Sequence, residues 1–363
     1  SFSNDLEFAL NAPLDETSSE KELKDVYKVV SPIKYKTNKK TKNIRFVDAI
    51  SDAIYLKMKS DNKVIMMGQD IAEYGGVFKI SEGFLKAFGP DRIKNTPIIE
   101  SGIIGAGMGM SLKGYKPIVE MQFADFVSCG FNQIVNNLAK THYRWDEAIN
   151  ITVRMPTGGG MGAGPFHSQN IEAWFTHVPG LKVVYPSNPR DAKGLLIASI
   201  DDPNPILFFE HKGLYRSIKG DVHQGIYSQD IGKGSIVQNG NDLTIITYGL
   251  GVHWAMESLY EVPKNRSIEI IDLKSLVPWD KDMVLESVKK TGRAMIIHEA
   301  TITSGFGAEI AATLSNEAFE YLDAPIVRIG SIDTPTPFSP HIEKEIFWKK
   351  NEIPAKIVEL LDY

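Results

Sequence analysis

The chain has 363 residues, of which 43% are hydrophobic and 23% are charged, and its net charge is −5. These values are typical of a globular protein with about two domains, and the acidic balance gives no indication of nucleic-acid binding. A single cysteine, Cys129, excludes an intrachain disulfide and indicates a reducing compartment. No apolar run reaches the ~18 residues of a spanning helix, so we expect no membrane association.

Residues 1–43 differ in composition from the rest of the chain, being acidic at the front and basic at the end. Because few positions follow an apolar period, we predict a linker or a weakly ordered arm. Since the first residue is Ser1, we expect a processed chain or a fragment, and we hypothesise that the arm joined another domain. The acidic positions are Asp5, Glu7, Asp15, Glu16, Glu20, Glu22 and Asp25, and the basic positions are Lys34, Lys36, Lys39, Lys40 and Lys42.

The first domain is predicted to span residues 44–212 and to alternate strands with helices. This alternation favours a parallel, doubly wound sheet. Apolar residues recur at helical spacing from 44 to 59, and a capping asparagine before a proline marks a helix start near 188. The predicted strands are Val64–Gly68, Pro117–Met121, Ile149–Arg154, Leu181–Tyr185 and Ile206–Phe209, and the predicted helices are 44–59, 126–143 and 187–200.

One acid in this domain has no local partner. Glu100 lies between the apolar Pro97-Ile98-Ile99 and a glycine-rich segment, and no basic residue occurs from Ile98 to Leu112. If this carboxylate is buried, it must find a partner elsewhere or be protonated, because an unpaired buried charge is costly. The simpler interpretation is an exposed acid at the end of a strand.

The glycines after Glu100 resemble a dinucleotide-binding fingerprint, G-x-G-x-x-G. The third glycine of that motif would fall on Met110, and Glu100-Ser101-Gly102 interrupts the strand that should precede it. A better account is a buried helix over Ile103–Leu112 in which Gly105 and Gly109 allow a close helix crossing. Such a helix favours a large interdomain or protein–protein contact.

Two loops follow predicted strands at the edge where open α/β sheets bind ligands. The first is Asp70–Gly76. The second, Pro156–Gln169, has five glycines within residues 158–164, so it cannot form a helix or a stable strand, and it ends near His167. A lone histidine is more often structural, but one that closes such a loop is a better catalytic candidate than most.

Residues 213–235 are polar and contain glycine, and we predict that they form a linker. A smaller α/β domain is predicted over residues 236–363, again in the order strand, helix, strand. Its predicted strands are Leu243–Thr247, Ile268–Asp272, Ala294–His298 and Pro325–Ile329, and its predicted helices are Val252–Tyr260, Asp280–Lys290 and Phe306–Phe319.

Several stretches, in this order and spacing, resemble the beta subunit of the thiamin-diphosphate-dependent 2-oxoacid dehydrogenases. The resemblance covers about residues 44–363. The Gln-Phe-Ala-Asp and His-Ser-Gln pieces are more similar to the branched-chain (2-oxoisovalerate) enzyme than to the pyruvate enzyme. The matching stretches are Asn95–Glu100, Glu120–Phe126, His167–Gln169, Pro179–Val184, Ile271–Leu273 and Val277–Asp280.

The resemblance implies an α/β fold of two domains, each with a mostly parallel sheet flanked by helices. These are a transketolase pyrimidine-binding domain and a transketolase C-terminal domain. It also implies oxidative decarboxylation of a 2-oxo acid, with thiamin diphosphate as the cofactor and a lipoyl acyltransferase as the acceptor of the acyl group. In such an enzyme the cofactor handles the electrons, and the protein orients it and places protons.

The resemblance gives individual residues a role. Glu100 matches the glutamate that hydrogen-bonds the aminopyrimidine ring, and an acid in an apolar cleft suits this role because desolvation raises its proton affinity. Ile98 matches a residue lining the pyrimidine pocket, and Gln122 matches one near that ring. Phe126 matches an aromatic residue against it, with an ordinary core position as the alternative. His167 matches a histidine near the thiazolium, for which we expect proton transfer or contact with the substrate carboxylate.

A structural potassium ion is also implied by the resemblance, held largely by carbonyl oxygens. Some side chains differ here from those of relatives, which backbone ligation tolerates. The matching positions are Ile149, Ile151, Thr152, Ser199, Asp202 and Asn204.

One part of a thiamin site is missing from this sequence. Thiamin enzymes hold the diphosphate through Mg²⁺ and a Gly-Asp-Gly motif, which Lys219-Gly220-Asp221 does not fit. In the family that half belongs to the alpha chain, so we expect inactivity without an alpha subunit or a fused alpha half, and slightly favour fusion because of the arm. The expected assembly has two alpha chains and two copies of this chain. The C-terminal domain, with Asp362 and Tyr363, is expected to bind the lipoyl acyltransferase.

Three alternatives remain open. The chain could be a pyruvate dehydrogenase beta subunit, half of another thiamin enzyme such as a transketolase or deoxyxylulose-phosphate synthase, or a non-enzymatic subunit that keeps the fold for assembly. The sequence does not identify the side chain of the 2-oxo acid, because that pocket is shared with the alpha half. We favour a bacterial cytoplasm, or the mitochondrial matrix in a eukaryote.

Overall fold

Helices and strands alternate through most of the computed structural model, which describes residues 1–13, 16–31, 33, 35–347 and 352–363. Asp15 and Lys34, predicted to lie in the charged arm, are outside the described residues. The helices are α1 Phe2–Leu10, α2 Ser19–Asp25, α3 Phe46–Ser60, α4 Phe84–Phe88, α5 Glu100–Leu112, α6 Ala139–Trp145, α7 Ala173–Thr176, α8 Pro189–Asp201, α9 Leu214–Ser217, α10 Leu250–Ser258, α11 Lys281–Thr291, α12 Phe306–Glu317, α13 Pro340–Phe347 and α14 Ile353–Asp362. The strands are β1 Thr41–Arg45, β2 Val64–Gly68, β3 Ile93–Asn95, β4 Lys116–Glu120, β5 Thr152–Thr157, β6 Lys182–Val184, β7 Ile206–His211, β8 Lys219–His223, β9 Ser235–Gln238, β10 Leu243–Thr247, β11 Ile268–Asp272, β12 Ser275–Val277, β13 Ala294–Thr301 and β14 Val327–Ser331.

The first sheet has seven strands in the described part of the chain, in the order β12-β6-β7-β5-β4-β2-β3. All neighbours are parallel except β12, which is antiparallel to β6. Both faces are covered, so its strands are continuous apolar runs. On β2, for example, Met66 packs in the cluster that contains Ile50 of α3, and the next residue, Met67, packs in the cluster that contains Ile103 of α5.

The second sheet has the order β14-β13-β10-β11-β9, and all its pairs are parallel except β11 with β9. Helices α10 and α14 pack on one side through Trp254 and Ile357, and α12 packs on the other through Ile310. Because β12 follows β11 but pairs with β6, the C-terminal half of the chain contributes a strand to the first sheet. The two mostly parallel sheets with flanking helices confirm the predicted fold class.

Residues 1–43, predicted to be a linker or arm, contain α1, α2 and several anchors to the first domain. Tyr27 donates a hydrogen bond to the carbonyl oxygen of Leu181 over 3.0 Å. The backbone N–H of Lys28 donates to the side-chain oxygen of Asn204 over 2.8 Å. The segment 213–235, predicted to be a linker, contains α9 and β8, and β8 pairs antiparallel with β1.

The predicted helix over residues 126–143 is instead wound in three ways. A 3₁₀ segment, Ala124–Gly130, is followed by a π segment, Gln133–Leu138, and then by α6. Close packing on α5 accompanies the change, since a Cβ at Gly130 would lie 2.4 Å from Cδ1 of Ile104. Within α5, Gly107 makes the close contact, with Ile151, whereas a Cβ at Gly105 or Gly109 would meet no described atom within 4 Å.

Candidate active site

The predicted site residues lie at the carboxyl ends of neighbouring parallel strands. Strands β3, β2, β4 and β5 are adjacent in the first sheet and run in one direction. Glu100 follows β3, Gln122 and Phe126 follow β4, and His167 lies on the loop after β5. Because parallel strands end at one edge, the fold places all of these residues at the edge where open α/β sheets bind ligands.

Glu100 is the first residue of α5 and is buried, with 8% of its surface exposed. Its Oε1 accepts a hydrogen bond of 3.1 Å from the side-chain amide of Gln69, which directly follows β2. Within the described part of the chain, the hydrogen-bond partner of this carboxylate is therefore a neutral amide. The N-terminus of helix α5 also favours a negative charge at this position. The carboxylate of Glu100 can therefore bind a further group in addition to Gln69.

Sequence reasoning missed Gln69. A polar residue directly beyond a buried strand, at the same edge as the predicted loop Asp70–Gly76, is the signal that would have found it. Its contact with Glu100 joins residues that are 31 positions apart in the chain.

The apolar residues before Glu100 face away from the core. Ile98 is 83% exposed and Ile99 is 51% exposed. The backbone turns sharply at this point, where the N–H of Ile99 donates to the carbonyl oxygen of Pro97 over 3.0 Å. Isoleucine is usually buried, so exposed isoleucines beside a buried acid indicate a surface that a ligand or a partner covers.

Gln122 connects the loops after β4 and β2. It is half-buried, and its side-chain amide donates to Oδ2 of Asp70 over 3.1 Å. Asp70 has a φ of 57°, an uncommon conformation for a residue other than glycine. Its carbonyl oxygen also accepts from the N–H of Gly76 over 2.8 Å. Residues held in such conformations cluster at functional sites.

Phe126 and His167, which are distant in sequence, are in contact at the same edge. The centroids of their rings are 5.3 Å apart at an interplanar angle of 78°. The imidazole also lies edge-on to Phe123, 4.7 Å away at 89°, and both phenylalanines pack on each other. These edge-to-face contacts fix the orientation of a half-buried histidine. Phe123 is a second residue that sequence reasoning missed, although it lies in the matching stretch Glu120–Phe126.

Lys212 connects the glycine loop to β7. It directly follows β7, is only 4% exposed, and its ammonium donates to the carbonyl oxygen of Gly158 over 2.7 Å. The same ammonium lies 5.6 Å from the centroid of the Phe123 ring. Burial lowers the pKa of Lys212 to about 8, and nearby carboxylates limit that fall. Sequence reasoning also missed this residue, whose signal is a lysine directly after a buried strand.

Behind the site lies a fully buried ionic cluster around Arg154 on β5. Its guanidinium donates to both carboxylate oxygens of Glu210 over 2.7 Å each, and to Glu120. Tyr215 donates to Glu210 over 2.7 Å. Burial raises the pKa of Glu120 against the opposing charge of the arginine. Every charge in this cluster has an opposite charge in contact with it, so the cluster has no acceptor reserved for a ligand.

Glu172 occupies the contact between the two domains and has no exposed surface. Its Oε1 accepts a hydrogen bond of 2.8 Å from the hydroxyl of Tyr248, just beyond β10. Its Oε2 has no hydrogen-bond partner among the described residues. Burial raises the pKa of Glu172 to about 7, with only partial opposition from the Tyr248 hydroxyl.

The positions matched to a potassium ion lie near the other end of β5. The carbonyl oxygen of Ile151 accepts from the N–H of Ile206, at the start of β7, over 2.9 Å. Lys182 donates to the carboxylate of Asp202 over 2.6 Å, so that acid is already neutralised. The buried hydroxyl of Thr152 has no partner among the described residues. Carbonyl and hydroxyl oxygens are therefore what these positions offer to a cation.

We examined the described residues for membrane-spanning helices, metal-binding groups and free thiols. None of the described helices is long and apolar enough to cross a membrane. No group of three or more His, Cys, Asp or Glu side chains in the described ranges is placed to hold a metal ion. Cys129 is a free thiol at the surface.

Two family models match this chain. The transketolase pyrimidine-binding domain matches residues 42–218, and the transketolase C-terminal domain matches residues 232–353. A solved structure described as a split-gene transketolase, inactive beta4 tetramer, has the same fold. It aligns with a TM-score of 0.71 at 20% identity, over 88% of this chain and 99% of that chain.

Curated relatives narrow the class. The 2-oxoisovalerate dehydrogenase subunit beta of Bacillus subtilis is 41% identical over 322 residues, 88% of this chain and 98% of the relative. A pyruvate dehydrogenase E1 component subunit beta of Staphylococcus aureus is 42% identical over 322 residues, 87% and 98% of the two chains. The mitochondrial 2-oxoisovalerate dehydrogenase subunit beta 2 of Arabidopsis thaliana is 42% identical over 316 residues, 86% and 87%. The chain therefore belongs to the family of 2-oxoacid dehydrogenase E1 beta subunits, which confirms the resemblance.

Proposed function

We propose that this chain is the beta part of a thiamin-diphosphate-dependent 2-oxoacid dehydrogenase. It would take part in the oxidative decarboxylation of a 2-oxo acid and the transfer of the acyl group to a lipoyl acyltransferase. The observation that carries the proposal is Glu100, a buried carboxylate whose partner is the neutral amide of Gln69. An acid with a neutral partner can still bind a ring nitrogen, whereas one neutralised by arginine cannot.

The residues around Glu100 fit the aminopyrimidine ring of thiamin diphosphate. Glu100 would share a proton with the ring nitrogen, Ile98 would supply an apolar wall, and Phe126 would supply an aromatic face. The amide of Gln122 lies at the same edge and would flank the ring. When bound, thiamin diphosphate supplies the electron sink for decarboxylation. The part of this chain is to orient the ring, hold the proton at Glu100 and exclude water.

His167 is proposed as the second catalytic residue. Its imidazole is held edge-on by Phe123 and Phe126, so it has one preferred orientation at the edge that carries Glu100. An imidazole so placed can give a proton to the reacting groups, take one from them, or contact the carboxylate of the substrate. We assign it to decarboxylation and to acyl transfer.

For the substrate we propose a branched-chain 2-oxo acid, on the basis of the stretches at 122–125 and 167–169. Pyruvate is the alternative, since relatives of both kinds have nearly equal identity to this chain. Branched-chain amino acid catabolism is the corresponding metabolic role.

An alpha part, separate or fused, is proposed to complete the site, so that this chain is inactive alone and assembles with two alpha parts and a second copy of itself. The alpha part would hold Mg²⁺ and the diphosphate, for which this sequence has no Gly-Asp-Gly motif. Exposed apolar side chains around the site support such a contact. They include Ile98 at 83%, Phe166 at 68%, Met161 at 55% and Trp174 at 41% exposure.

A potassium ion is proposed at the carbonyl and hydroxyl groups of Ile149, Ile151, Thr152, Ser199, Asp202 and Asn204. The unpartnered hydroxyl of Thr152 supports a cation there. The melting temperature should be higher in potassium chloride than in choline chloride of equal ionic strength, and equal values would contradict the site.

We also propose that the C-terminal domain binds the lipoyl acyltransferase. Its last helix, α14, is anchored through Ile357 and Leu361, while Tyr363 is 73% exposed. Deleting Asp362 and Tyr363 should weaken capture of the acyltransferase in a pull-down, and unchanged capture would remove them from the contact.

For the location of the protein we propose a bacterial cytoplasm, with the mitochondrial matrix as the alternative. Fractionation of the source cells decides between them.

Reconstitution tests the function. The chain is coexpressed with its alpha part and assayed with thiamin diphosphate and Mg²⁺, and reduction of a lipoyl domain is followed with 3-methyl-2-oxobutanoate or pyruvate. We expect Glu100→Gln to lower the rate at least about 100-fold, and Glu286→Gln, at an exposed position on α11, to leave it unchanged.

Other outcomes select the alternatives. A folded Glu100→Gln assembly with near-normal activity would exclude the catalytic role and favour a non-enzymatic subunit. Higher kcat/KM with pyruvate would identify a pyruvate dehydrogenase. Transfer of two-carbon units without lipoyl reduction would indicate a transketolase-type half.

A further inference from the structure

The glycine loop that carries His167 is bound by two buried acids of the second domain. Glu343 on α13 is 2% exposed, and its two carboxylate oxygens accept from the N–H groups of Gly160 over 2.7 Å and Gly162 over 3.1 Å. Glu299 on β13 is 5% exposed and accepts from the N–H of Gly159 over 2.7 Å. Three amides of one short segment therefore have carboxylate acceptors from a different domain.

Glycine is required on both sides of the segment that these acids bind. Gly158 has a φ of 90°, and a Cβ there would lie 2.1 Å from Nε2 of His211. Gly164 has a φ of 75°, and a Cβ there would lie 2.4 Å from the ring of Phe338. Both the backbone conformation and the close approach exclude a side chain. Glycine thus allows the loop to approach β7 of the first domain at Gly158 and the second domain at Gly164.

Two basic side chains of the first domain lie beside this part of the loop. His211 contacts Glu299 over 2.9 Å, and Lys212 donates to the carbonyl oxygen of Gly158 over 2.7 Å. Burial alone would raise the pKa of Glu299, but His211 and the amide donors outweigh it and hold that pKa below its usual value. The loop is therefore held at its N–H groups by carboxylates and at a carbonyl group by an ammonium.

His167 lies on the part of the loop that these contacts constrain. Its backbone N–H donates to the carbonyl oxygen of Gly164 over 3.3 Å. On its other side, Gln169 is fixed by two hydrogen bonds to Asp125, of 2.9 and 3.1 Å. The segment between Gly162 and Gln169 is thus anchored at both ends, by Glu343 and by Asp125.

We propose that Glu343 is a positioning residue, which fixes the glycine loop through the amides of Gly160 and Gly162 and so keeps His167 against Phe123 and Phe126. This inference rests on the proposed role of His167 and adds a requirement, namely that the second domain sets the geometry of the catalytic edge. Charged acceptors form strong bonds to backbone amides, and catalytic groups tolerate little displacement.

The test uses the enzyme assembled with its alpha part. Glu343→Gln replaces one accepting oxygen with a donor, which faces an N–H group. We expect acyl transfer to the lipoyl domain to slow roughly 10- to 100-fold, with the Kd for thiamin diphosphate within about threefold of normal. The matched control is Glu345→Gln, at an exposed position of the same helix, and its rate should equal that of the parent enzyme.

A double variant separates positioning from a general structural role. If Glu343 acts through His167, Glu343→Gln combined with His167→Asn should be no slower than His167→Asn alone. An additional loss in the double variant would overturn the proposal. The proposal would also be overturned if the Glu343→Gln enzyme transferred acyl groups at the normal rate while the His167→Asn enzyme was slow.

Hydrogen exchange provides a second measurement that needs no folded variant. In the parent assembly, peptides that cover Gly159–Gly162 should exchange slowly because their amides are bonded to carboxylates. Rapid exchange there, at the rate of an open loop, would overturn the inference even if Glu343→Gln fails to fold. If His167→Asn has normal activity, the proposed catalytic role of His167 fails, and Glu343 then has no effect on catalysis through it. Slow exchange at Gly159–Gly162 would in that case show that the acids still hold the loop and that only the catalytic assignment was wrong.

Discussion

The sheet edge that carries Glu100 and the ionic cluster around Arg154 are neighbours in the first sheet. The buried carboxylates of these two regions have opposite kinds of partner. Glu120 and Glu210 are both bonded to the guanidinium of Arg154, and the cluster has no exposed face. Glu100 is bonded to a neutral amide and stands beside isoleucines that are mostly exposed. The first arrangement is closed, and the second leaves the acid able to bind another group.

This difference separates structural acids from the acid for which we propose a function. A buried carboxylate that an arginine neutralises contributes to packing, and removing its partner leaves a buried charge without compensation. A buried carboxylate with a neutral partner retains its affinity for a proton or a donor. Burial alone does not distinguish the two cases, since Glu120 is 4% exposed and Glu100 is 8% exposed.

Arg154→Met should have the largest effect, because it leaves Glu120 and Glu210 buried and adjacent without a cation. We expect a loss of about 3–5 kcal/mol in the free energy of unfolding, measured by urea denaturation of the assembled protein. Arg190→Met, at an exposed position on α8, is the control and should change stability by no more than ~0.5 kcal/mol. Full stability of Arg154→Met would remove the distinction drawn between the two regions.

Glu172 provides an intermediate case, since a tyrosine hydroxyl is its partner. Its pKa is raised from 4.5 to about 7 in the fold, so the folded state binds a proton that the unfolded state has released between these values. Stability should therefore fall as the pH rises through this window, by roughly 3 kcal/mol from this group. Glu172→Gln should remove that loss, giving a melting temperature above the parent at pH 8 and close to it at pH 5.

The stability of the Glu172→Gln variant should still depend on pH, because a second buried acid, Asp272, titrates in the same range. Burial raises its pKa from 3.8 to about 7, so it destabilises the fold over the same pH range in both proteins. The comparison between parent and variant is therefore the informative quantity. Identical pH dependence in the two would contradict the raised pKa of Glu172 in the fold.

Gln69→Leu should have the smallest effect. It removes the bond that orients Oε1 of Glu100 while leaving the acid in place, so we expect about a tenfold loss of reconstituted activity. This is less than the loss expected for Glu100→Gln. The control Gln238→Leu, at an exposed position on β9, should be active. A Gln69→Leu enzyme as slow as Glu100→Gln would mean that the amide itself contacts the reacting groups.

Local sequence patterns predicted the bounds of the strands more accurately than the contacts between helices and strands. The strand Val64–Gly68 and the strands Leu243–Thr247 and Ile268–Asp272 have their predicted bounds, because buried apolar runs between turn residues define them. The helix predicted over 126–143 changes its winding where Gly130 meets α5. Gly105 and Gly109 were predicted to make the close contact of α5, but Gly107 makes it, with Val119 and Ile151. The sequence did not identify this glycine, because the face of a helix that meets the sheet is decided only by the packing of the whole fold.

An acid without a nearby cation and a histidine closing a run of glycines could both be recognised from the order of the residues alone. So could the alternation of strands and helices. The partners of these groups depended on folding, because they come from distant segments. Gln69 reaches Glu100 across adjacent strands, and Glu343 reaches Gly160 across 183 positions. Strand order and domain docking select such contacts, and no local pattern of side chains encodes either.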